Sequence, residues 1–166
     1  MPIEVRRAVP EEYDEAGRVT ALAYREFIRD GDDDWEDYLR HIADVPSRAD
    51  RTTIMVAVEN GRVLGSATLE LEGRVDDEED HRRLEPGESH VRMLGVDPSV
   101  RRRGIARMLM EACMEAAREG GKTFMTLNTT QRMKAARAMY ETLGFERGED
   151  RVFPDGFVLL SYSRRL

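Results

Sequence analysis

The sequence predicts one mixed α/β domain (α+β in some classifications), and three observations carry that expectation. The chain has 166 residues, the size of a single domain, 1–166, able to bury a core. Asn60-Gly61 separates two β-rich runs, the strongest short hairpin signal, and it implies an antiparallel section. A strand–helix–strand pattern between 91 and 128 implies a parallel one.

The elements follow in order. "IEVRRAV" (3–9) alternates as a strand does. Within 11–28, Ala16, Val19, Ala23 and Phe27 recur at helical spacing, and 35–45 reads as a shorter second helix. The runs 52–58 and 62–71 are the two arms of the hairpin. Residues 74–89 are polar, hold Pro and Gly and have no period, so they read as a mobile connection. "HVRMLGV" (90–96) is the next strand, ended by Asp97-Pro98. Ile105, Met108, Leu109, Ala112 and Ala116 then restore helical spacing until Gly120-Gly121 stops it. Residues 123–128 form a strand, and 131–143 a helix with Ala136, Met139, Tyr140 and Leu143 on one stripe. Gly144 stands where a C′ glycine belongs, with Phe145 placed for the accompanying apolar contact. A last strand covers 157–163, with room for a short extra strand near 146–152. The expected order is β-α-α-β-β-β-α-β-α-β.

Bulk composition narrows the function. Hydrophobic residues make up 40%, charged residues 36%, and the net charge is −7. An acidic chain is repelled by phosphate backbones, which argues against nonspecific nucleic-acid binding. The acidic excess gathers at 29–37 and 76–80, either as solvated loops or as an attraction for a cationic substrate. No apolar run approaches the ~20 residues of a membrane span. The N-terminus has no signal-peptide core, so a cytoplasmic location is expected. Cys113 is the sole cysteine, and His41, His81 and His90 are scattered. Neither an intrachain disulfide nor a metal site is expected from that set.

The chemistry concentrates in "VDPSVRRRGIARMLMEA" (96–112). A strand runs through a turn into a helix that begins near Gly104. Helix N-termini carry unpaired N–H groups and partial positive charge, and so bind anions. Gly104 allows close backbone approach, and Arg101, Arg102 and Arg103 add forked donors for phosphate oxygens. A diphosphate suits this arrangement. A plain turn with solvated arginines fits the bare spacing as well. A P-loop fits poorly, since no Gly-Lys-Ser/Thr follows, and a dinucleotide fold fits poorly because only Gly104 of its glycine pattern is present.

"RRRGIA" resembles the Arg/Gln-x-x-Gly-x-Gly/Ala signature of the GNAT superfamily of acyl-CoA-dependent N-acyltransferases. "MLGVDP" before it and "AARAMYETLGF" after it resemble the flanking strand and the second motif of the same family, so the likeness spans roughly 90–146. The resemblance implies a GNAT fold: a mixed central sheet in which the strand at 91–96 bulges and splays from the strand at 123–128. It implies that acetyl-CoA, the co-substrate, lies in that gap. Its pantetheine would pair with main-chain groups of Leu94, Gly95 and Val96. Its pyrophosphate would rest on the loop of Arg101, Arg102, Arg103, Gly104, Ile105, Ala106 and Arg107. Tyr140 matches the tyrosine that often protonates the departing thiolate, although from its spacing alone it reads first as a core residue of the helix stripe. Leu94 or Val96 would give the main-chain N–H for the oxyanion.

The general base is left open. Ribosomal-protein alanine acetyltransferases place a glutamate twelve residues before the tyrosine, where this chain has Asn128. Many members carry an asparagine seven residues before it, where this chain has Met133. The remaining candidates are Glu88, then His90, Glu70 and Glu72, or a water chain. In an extended strand Glu88 and His90 share a face with Arg92 and Leu94. Asn128 retains a hydrogen-bonding role toward the acceptor or a water. Cys113 lies mid-helix without a paired histidine and reads as core, so direct transfer is favoured over an acyl-cysteine. Tyr24, Phe27, Trp35 and Phe153 line a pocket or fill the core.

The expected activity is acetyl transfer to a small cationic amine or to a protein or peptide amine. The alternatives are a non-catalytic acyl-CoA sensor on the same fold and, third, a nucleic-acid binder using Arg101–Arg103. The resemblance also admits a homodimer, and an acyl group longer than acetyl.

Overall fold

A computed structural model describes residues 2–27, 35–73, 82–154 and 156–166. Strand β1 (Glu4–Arg7) leads through a 3₁₀ turn at Pro10–Glu12 into helices α1 (Tyr13–Arg25), α2 (Trp35–Ala43) and α3 (Pro46–Ala49). Strands β2 (Thr53–Glu59), β3 (Arg62–Glu70) and β4 (Glu88–Val96) follow. A second 3₁₀ turn at Pro98–Val100 opens into α4 (Ile105–Glu119). Then come β5 (Phe124–Thr130), α5 (Lys134–Thr142), β6 (Glu146–Arg147), β7 (Arg151–Val152) and β8 (Val158–Arg165). The eight strands form one sheet in the order β1-β2-β3-β4-β5-β8-β6, with β7 also on β8. Among the described residues, only β4 and β5 pair in parallel. The expected mixed α/β class and order are met.

Local chemistry accounts for these elements. The β2–β3 turn is the expected two-residue one: Asn60 and Gly61 have φ of 52° and 76°, and Glu59 faces Arg62. In α1 the buried Ala16, Val19 and Ala23 keep the predicted stripe. Gly17 lets α2 approach, since a Cβ there would sit 2.0 Å from the Ala43 carbonyl oxygen. The one-turn α3 has no counterpart in the sequence reading. It exists around Arg48, whose guanidinium donates to the carbonyls of His41 (3.1 Å), Asp44 (3.1 Å) and Ile42 (2.9 Å) and to Thr68 Oγ1 (3.1 Å). Arg48 thereby serves the open carbonyls at the end of α2 and ties them to β3. Strand β4 begins at Glu88 rather than at 90, so the connection expected over 74–89 ends two residues early. Two short strands stand where one was expected near 146–152.

The two faces of the sheet differ. On one face α4 and α5 pack an apolar cluster that includes Ala67, Leu69, Val91, Leu109, Cys113, Met125, Leu127, Tyr140 and Tyr162. On the other, α1 and its neighbours cover Ile54, Val56 and Val58 at the β2 end. Toward β4 that same face turns polar: Thr68, Glu70, Glu88, His90 and Arg92 are all buried. Among the described residues, no helix is long and apolar enough to cross a membrane. The acidic run at 76–80, most of the run at 29–37, and His81 lie outside the described residues.

Candidate active site

The site begins where the sheet opens. β4 and β5 pair only from Glu88↔Phe124 to Val91↔Leu127. Beyond that point β4 stays on β3 as far as Val96↔Gly65, and β5 stays on β8 as far as Thr130↔Leu159. The two halves of the sheet therefore part, leaving a slot between 92–96 and 128–130. A bulge causes the parting: opposite Ala67, β4 places two residues, Met93 and Leu94. Met93 takes φ 54°, a left-handed conformation uncommon for such a side chain. Such bulges bend a strand and re-aim its side chains. Here Leu94 turns to the apolar cluster, whereas Arg92 stays on the polar face with Glu70. The shared face expected for Arg92 and Leu94 is thus corrected by the bulge.

Hydrogen-bond phase says which main-chain groups face the slot. The Asp97 N–H donates to the Leu64 carbonyl at 2.8 Å. Main-chain groups alternate along a strand, so those of Gly95, opposite Ser66, point to β3. Those of Val96 and Leu94 point into the slot. Gly95 is corrected accordingly. Its glycine character serves α1, because a Cβ there would lie 3.0 Å from Thr20 Cα and 3.1 Å from Ala23 Cβ.

At the open end of β4, Asp97 accepts from Ser99 N–H (2.9 Å) and Ser99 Oγ (2.8 Å) and pairs with Arg62 (2.7 Å), shaping the turn. Burial alone would raise the Asp97 carboxyl, but these donors hold it below its ordinary value. The chain then passes Arg102 (φ 66°) and Gly104 (φ 75°). The first helical bond of α4 runs from Met108 N–H to the Gly104 carbonyl at 3.0 Å. The N–H groups of Ile105, Ala106 and Arg107 therefore have no acceptor within the helix. No atom lies within 4 Å of where a Gly104 Cβ would be. The loop is an open cradle of donors at the N-terminus of a 15-residue helix, and it fits a diphosphate. Arg101 pairs with Glu26 and Arg103 with Glu59, each at 2.5 Å on the surface. Exposed pairs of this kind are weak and exchange readily for a phosphate. Arg107 is turned to Glu111 at 3.0 Å.

Tyr140 stands on the apolar side. Its place is set by the end of α5, where Gly144 N–H donates to the Glu141 carbonyl and Phe145 N–H to that of Tyr140, both at 3.0 Å. With Gly144 at φ 89°, this is a Schellman ending. Phe145 packs edge-on against the Tyr140 ring at 6.0 Å, and Tyr162 lies at 6.1 Å. Burial, then the neighbouring Tyr24 and Cys113, push the Tyr140 phenol up. It keeps its proton at neutral pH, and its hydroxyl has no hydrogen-bond partner among the described residues. Cys113 is fully buried, and burial raises its thiol to about 12, which suits core and not a nucleophile.

On the polar face the charges are paired. Arg92 Nε donates to Glu70 Oε1 at 2.9 Å, with Arg51 at 4.0 Å from the same oxygen. Burial, then the like charge of Arg92, pull Arg48 down to about 10. Glu88, the first candidate for general base, is clamped. Arg82 holds both its oxygens (2.8 and 2.5 Å), and Glu85 N–H (2.8 Å) and Thr126 Oγ1 (2.5 Å) take the remaining positions. Burial would raise its carboxyl, but the Arg82 and Thr126 bonds, the Glu85 N–H and the Arg82 charge together keep it low. This carboxylate has no vacancy for a substrate proton, so the role of base does not fit it. Asn128 sits one residue beyond the last β4–β5 pair, at the rim of the slot, and accepts from Ser161 Oγ at 3.4 Å. Glu72 is in the chain after β3 and makes no polar contact among the described residues. Sequence reasoning missed Arg82 and Thr126. The parallel β4–β5 register brings Thr126 to Glu88, and Arg82 reaches it from the connection before β4. Among the described residues no cluster of histidine, cysteine and carboxylates could hold a metal.

Residues 17–145 match the acetyltransferase (GNAT) family, and the chain belongs to that family. The N-alpha-acetyltransferase RimI of Mycobacterium tuberculosis is 38% identical over 65 residues, a match that spans only 39% of this chain and 39% of that protein. The yncA protein of Salmonella typhimurium, solved with its cofactor acetyl-CoA, superposes with a TM-score of 0.71 at 19% identity, covering 100% of this chain and 95% of that one. The PaiA N-acetyltransferase of Thermoplasma acidophilum, in complex with coenzyme A, gives 0.71 at 13% identity over 97% and 98%.

Proposed function

We propose that this chain is an acetyl-CoA-dependent N-acetyltransferase that acts by direct transfer to an amine. The observation that carries the reading is the continuity of the slot with the open cradle at Gly104. Cofactors are named for two fold neighbours, acetyl-CoA for yncA and coenzyme A for PaiA. When bound, acetyl-CoA supplies an activated thioester. The N–H groups of Ile105, Ala106 and Arg107, with Arg101, Arg102 and Arg103 at the rim, receive the pyrophosphate. The slot-facing main chain of Val96 and Leu94 extends the sheet pairing to the pantetheine amides, and one of these N–H groups meets the developing oxyanion. Tyr140 gives its proton to the departing sulfur. Burial keeps the Tyr140 phenol protonated at neutral pH, so it would hold the proton needed there. Asn128, at the rim on the opposite face, orients the acceptor. That acceptor is a small cationic amine or a protein or peptide amine.

A second reading, an acyl-CoA sensor without turnover, is favoured by one observation, the clamped Glu88 carboxylate. Calorimetric titration of acetyl-CoA tests both readings, which require one-to-one binding. Tyr140→Phe separates them. A transferase slows by about 10²-fold or more with unchanged acetyl-CoA affinity, whereas a sensor has no turnover to lose. No binding to the folded protein overturns both.

A further inference from the structure

An amine must reach the thioester from the α1 side, because α4 and α5 seal the other face of the sheet with an apolar cluster. Glu88, Thr126 and His90 do not meet it there. They are tied to one another inside the paired stretch, with His90 Nδ1 2.8 Å from Thr126 Oγ1 and that oxygen 2.5 Å from Glu88 Oε2. Helix α1 is better placed. A Cβ on Gly95 would lie 3.0 Å from Thr20 Cα and 3.1 Å from Ala23 Cβ, which sets residues 20–23 on the β4 lip of the slot. The end of the helix is then held from both lips. Arg101, in the cradle loop after β4, donates to Glu26 at 2.5 Å, and Arg132, just after β5, donates to the Phe27 carbonyl at 2.9 Å. The last turn of α1 therefore passes over the opening, and Tyr24 lies in that turn.

The Tyr24 phenol points down into the opening. Arg48 and Arg92 act on it from the polar face, and it acts in turn on Tyr140 of the apolar face. Successive side chains of a strand go to opposite faces, which the sheet between them keeps apart. One side chain near groups of both faces stands where the strands part. Burial raises the Tyr24 hydroxyl to about 12 in spite of the two guanidiniums, so it keeps its proton at neutral pH. It has no hydrogen-bond partner among the described residues.

We infer that Tyr24 is a specificity-determining residue of the proposed transfer: its ring closes the acceptor side of the slot, and its hydroxyl oxygen accepts an N–H of the incoming amine. The inference rests on the acetyltransferase reading. An amine that gives one N–H to Tyr24 is turned with its lone pair toward the thioester carbon, and no proton leaves the phenol. Tyr24 and Asn128 then flank the amine, one from α1 and one from the β5 rim, with Tyr140 across the opening beside the departing sulfur.

Carbon-13 spectra of the full chain labelled in its tyrosine rings test the placement without any acceptor. Saturating coenzyme A should shift the ring signals of Tyr24 and Tyr140, assigned with Tyr24→Phe and Tyr140→Phe, and leave Tyr13 at the other end of α1 in place. Coenzyme A that binds without moving the Tyr24 signal overturns the inference. Turnover with whichever of spermidine, lysine and an alanyl peptide the protein acetylates tests the contact. Tyr24→Phe keeps the ring and removes the hydroxyl, and should lower kcat/KM for the amine about tenfold with the acetyl-CoA Kd unchanged. Tyr24→Ala removes the ring as well, and should raise acetyl-CoA hydrolysis in the absence of amine, since water then reaches the thioester. Unchanged amine kinetics in folded Tyr24→Phe overturn the acceptor role, as does an equal loss of acetyl-CoA affinity, which would move Tyr24 to the cofactor. Failure of the wild type to bind either coenzyme overturns the acetyltransferase reading, and the role of Tyr24 with it.

Discussion

The two faces of this sheet are buried to a similar degree but stabilised by opposite means. Beneath α4, the stripe Ala67, Leu69, Val91, Met125 and Leu127 is excluded from water and makes only apolar contacts. On the α1 side, the alternate residues Thr68, Glu70, Glu88, His90 and Arg92 are equally hidden, and each is held by named polar partners. The first face tolerates any arrangement that fills its volume. The second tolerates only complete networks, because a buried charge without its partner costs several kcal/mol. The difference teaches where precision resides. The apolar face carries Tyr140 on a rigid helix ending, and the polar face carries the Asn128 amide at the rim of the slot.

The largest expected effect breaks this contrast at its most charged point. Glu70→Leu should destabilise the fold by about 3–5 kcal/mol, since it removes the carboxylate that Arg92 pairs with in the core. Glu70→Leu combined with Arg92→Met should recover most of that loss, and urea unfolding of the four-member cycle measures it. A cycle in which the two losses simply add would show that the pair is not coupled. On the other face Leu127→Ala should cost about 2–5 kcal/mol by leaving a cavity. No polar substitution nearby should restore it.

Next comes the cradle, which belongs to neither face. Gly104→Glu places a side chain on a backbone at φ 75°, for a stability cost of about 1–2 kcal/mol. The carboxylate projects into the space assigned to the pyrophosphate, so acetyl-CoA affinity should fall by about 100-fold or more. Calorimetry on the folded variant decides this, and unchanged affinity removes the cradle assignment.

The contrast between the faces also explains what was legible in the sequence. The Asn60-Gly61 hairpin, the stripe of α4 and the Gly144–Phe145 ending depend on neighbours a few residues away, and all are where local chemistry put them. The start of β4 was illegible because "ESHVR" buries Glu88, His90 and Arg92. Polar residues in the core invert the pattern by which strands are recognised. Arg48 was missed for the same reason, since an arginine in a short segment reads as surface. The slot depends on a register between β4 and β5 that no local pattern encodes. Only the family resemblance anticipated it. The engagement of Glu88 hinges on Arg82 and Thr126 reaching one carboxylate from two different segments, and that left its candidacy as a base open in the sequence.

The smallest expected effect sharpens the comparison through pH. The Glu88 carboxyl is held below its ordinary value of 4.5 in the folded chain. A depressed carboxyl binds fewer protons folded than unfolded near that value, so its contribution is complete above the unfolded pKa. It is lost as pH falls through the folded one. Glu88→Gln keeps the shape of the side chain but cannot ionise, and should cost about 1 kcal/mol at pH 7. The gap between wild type and variant should hold from pH 7 to about 5 and close progressively below about 4.5. Thermal unfolding across that range measures it. The apolar face gives no such signature, because Leu127→Ala removes nothing that titrates, and its loss should be the same at pH 7 and pH 4. A Glu88→Gln difference that is flat with pH would mean that packing, and not the ionised carboxylate, holds the Arg82–Thr126–His90 chain in place.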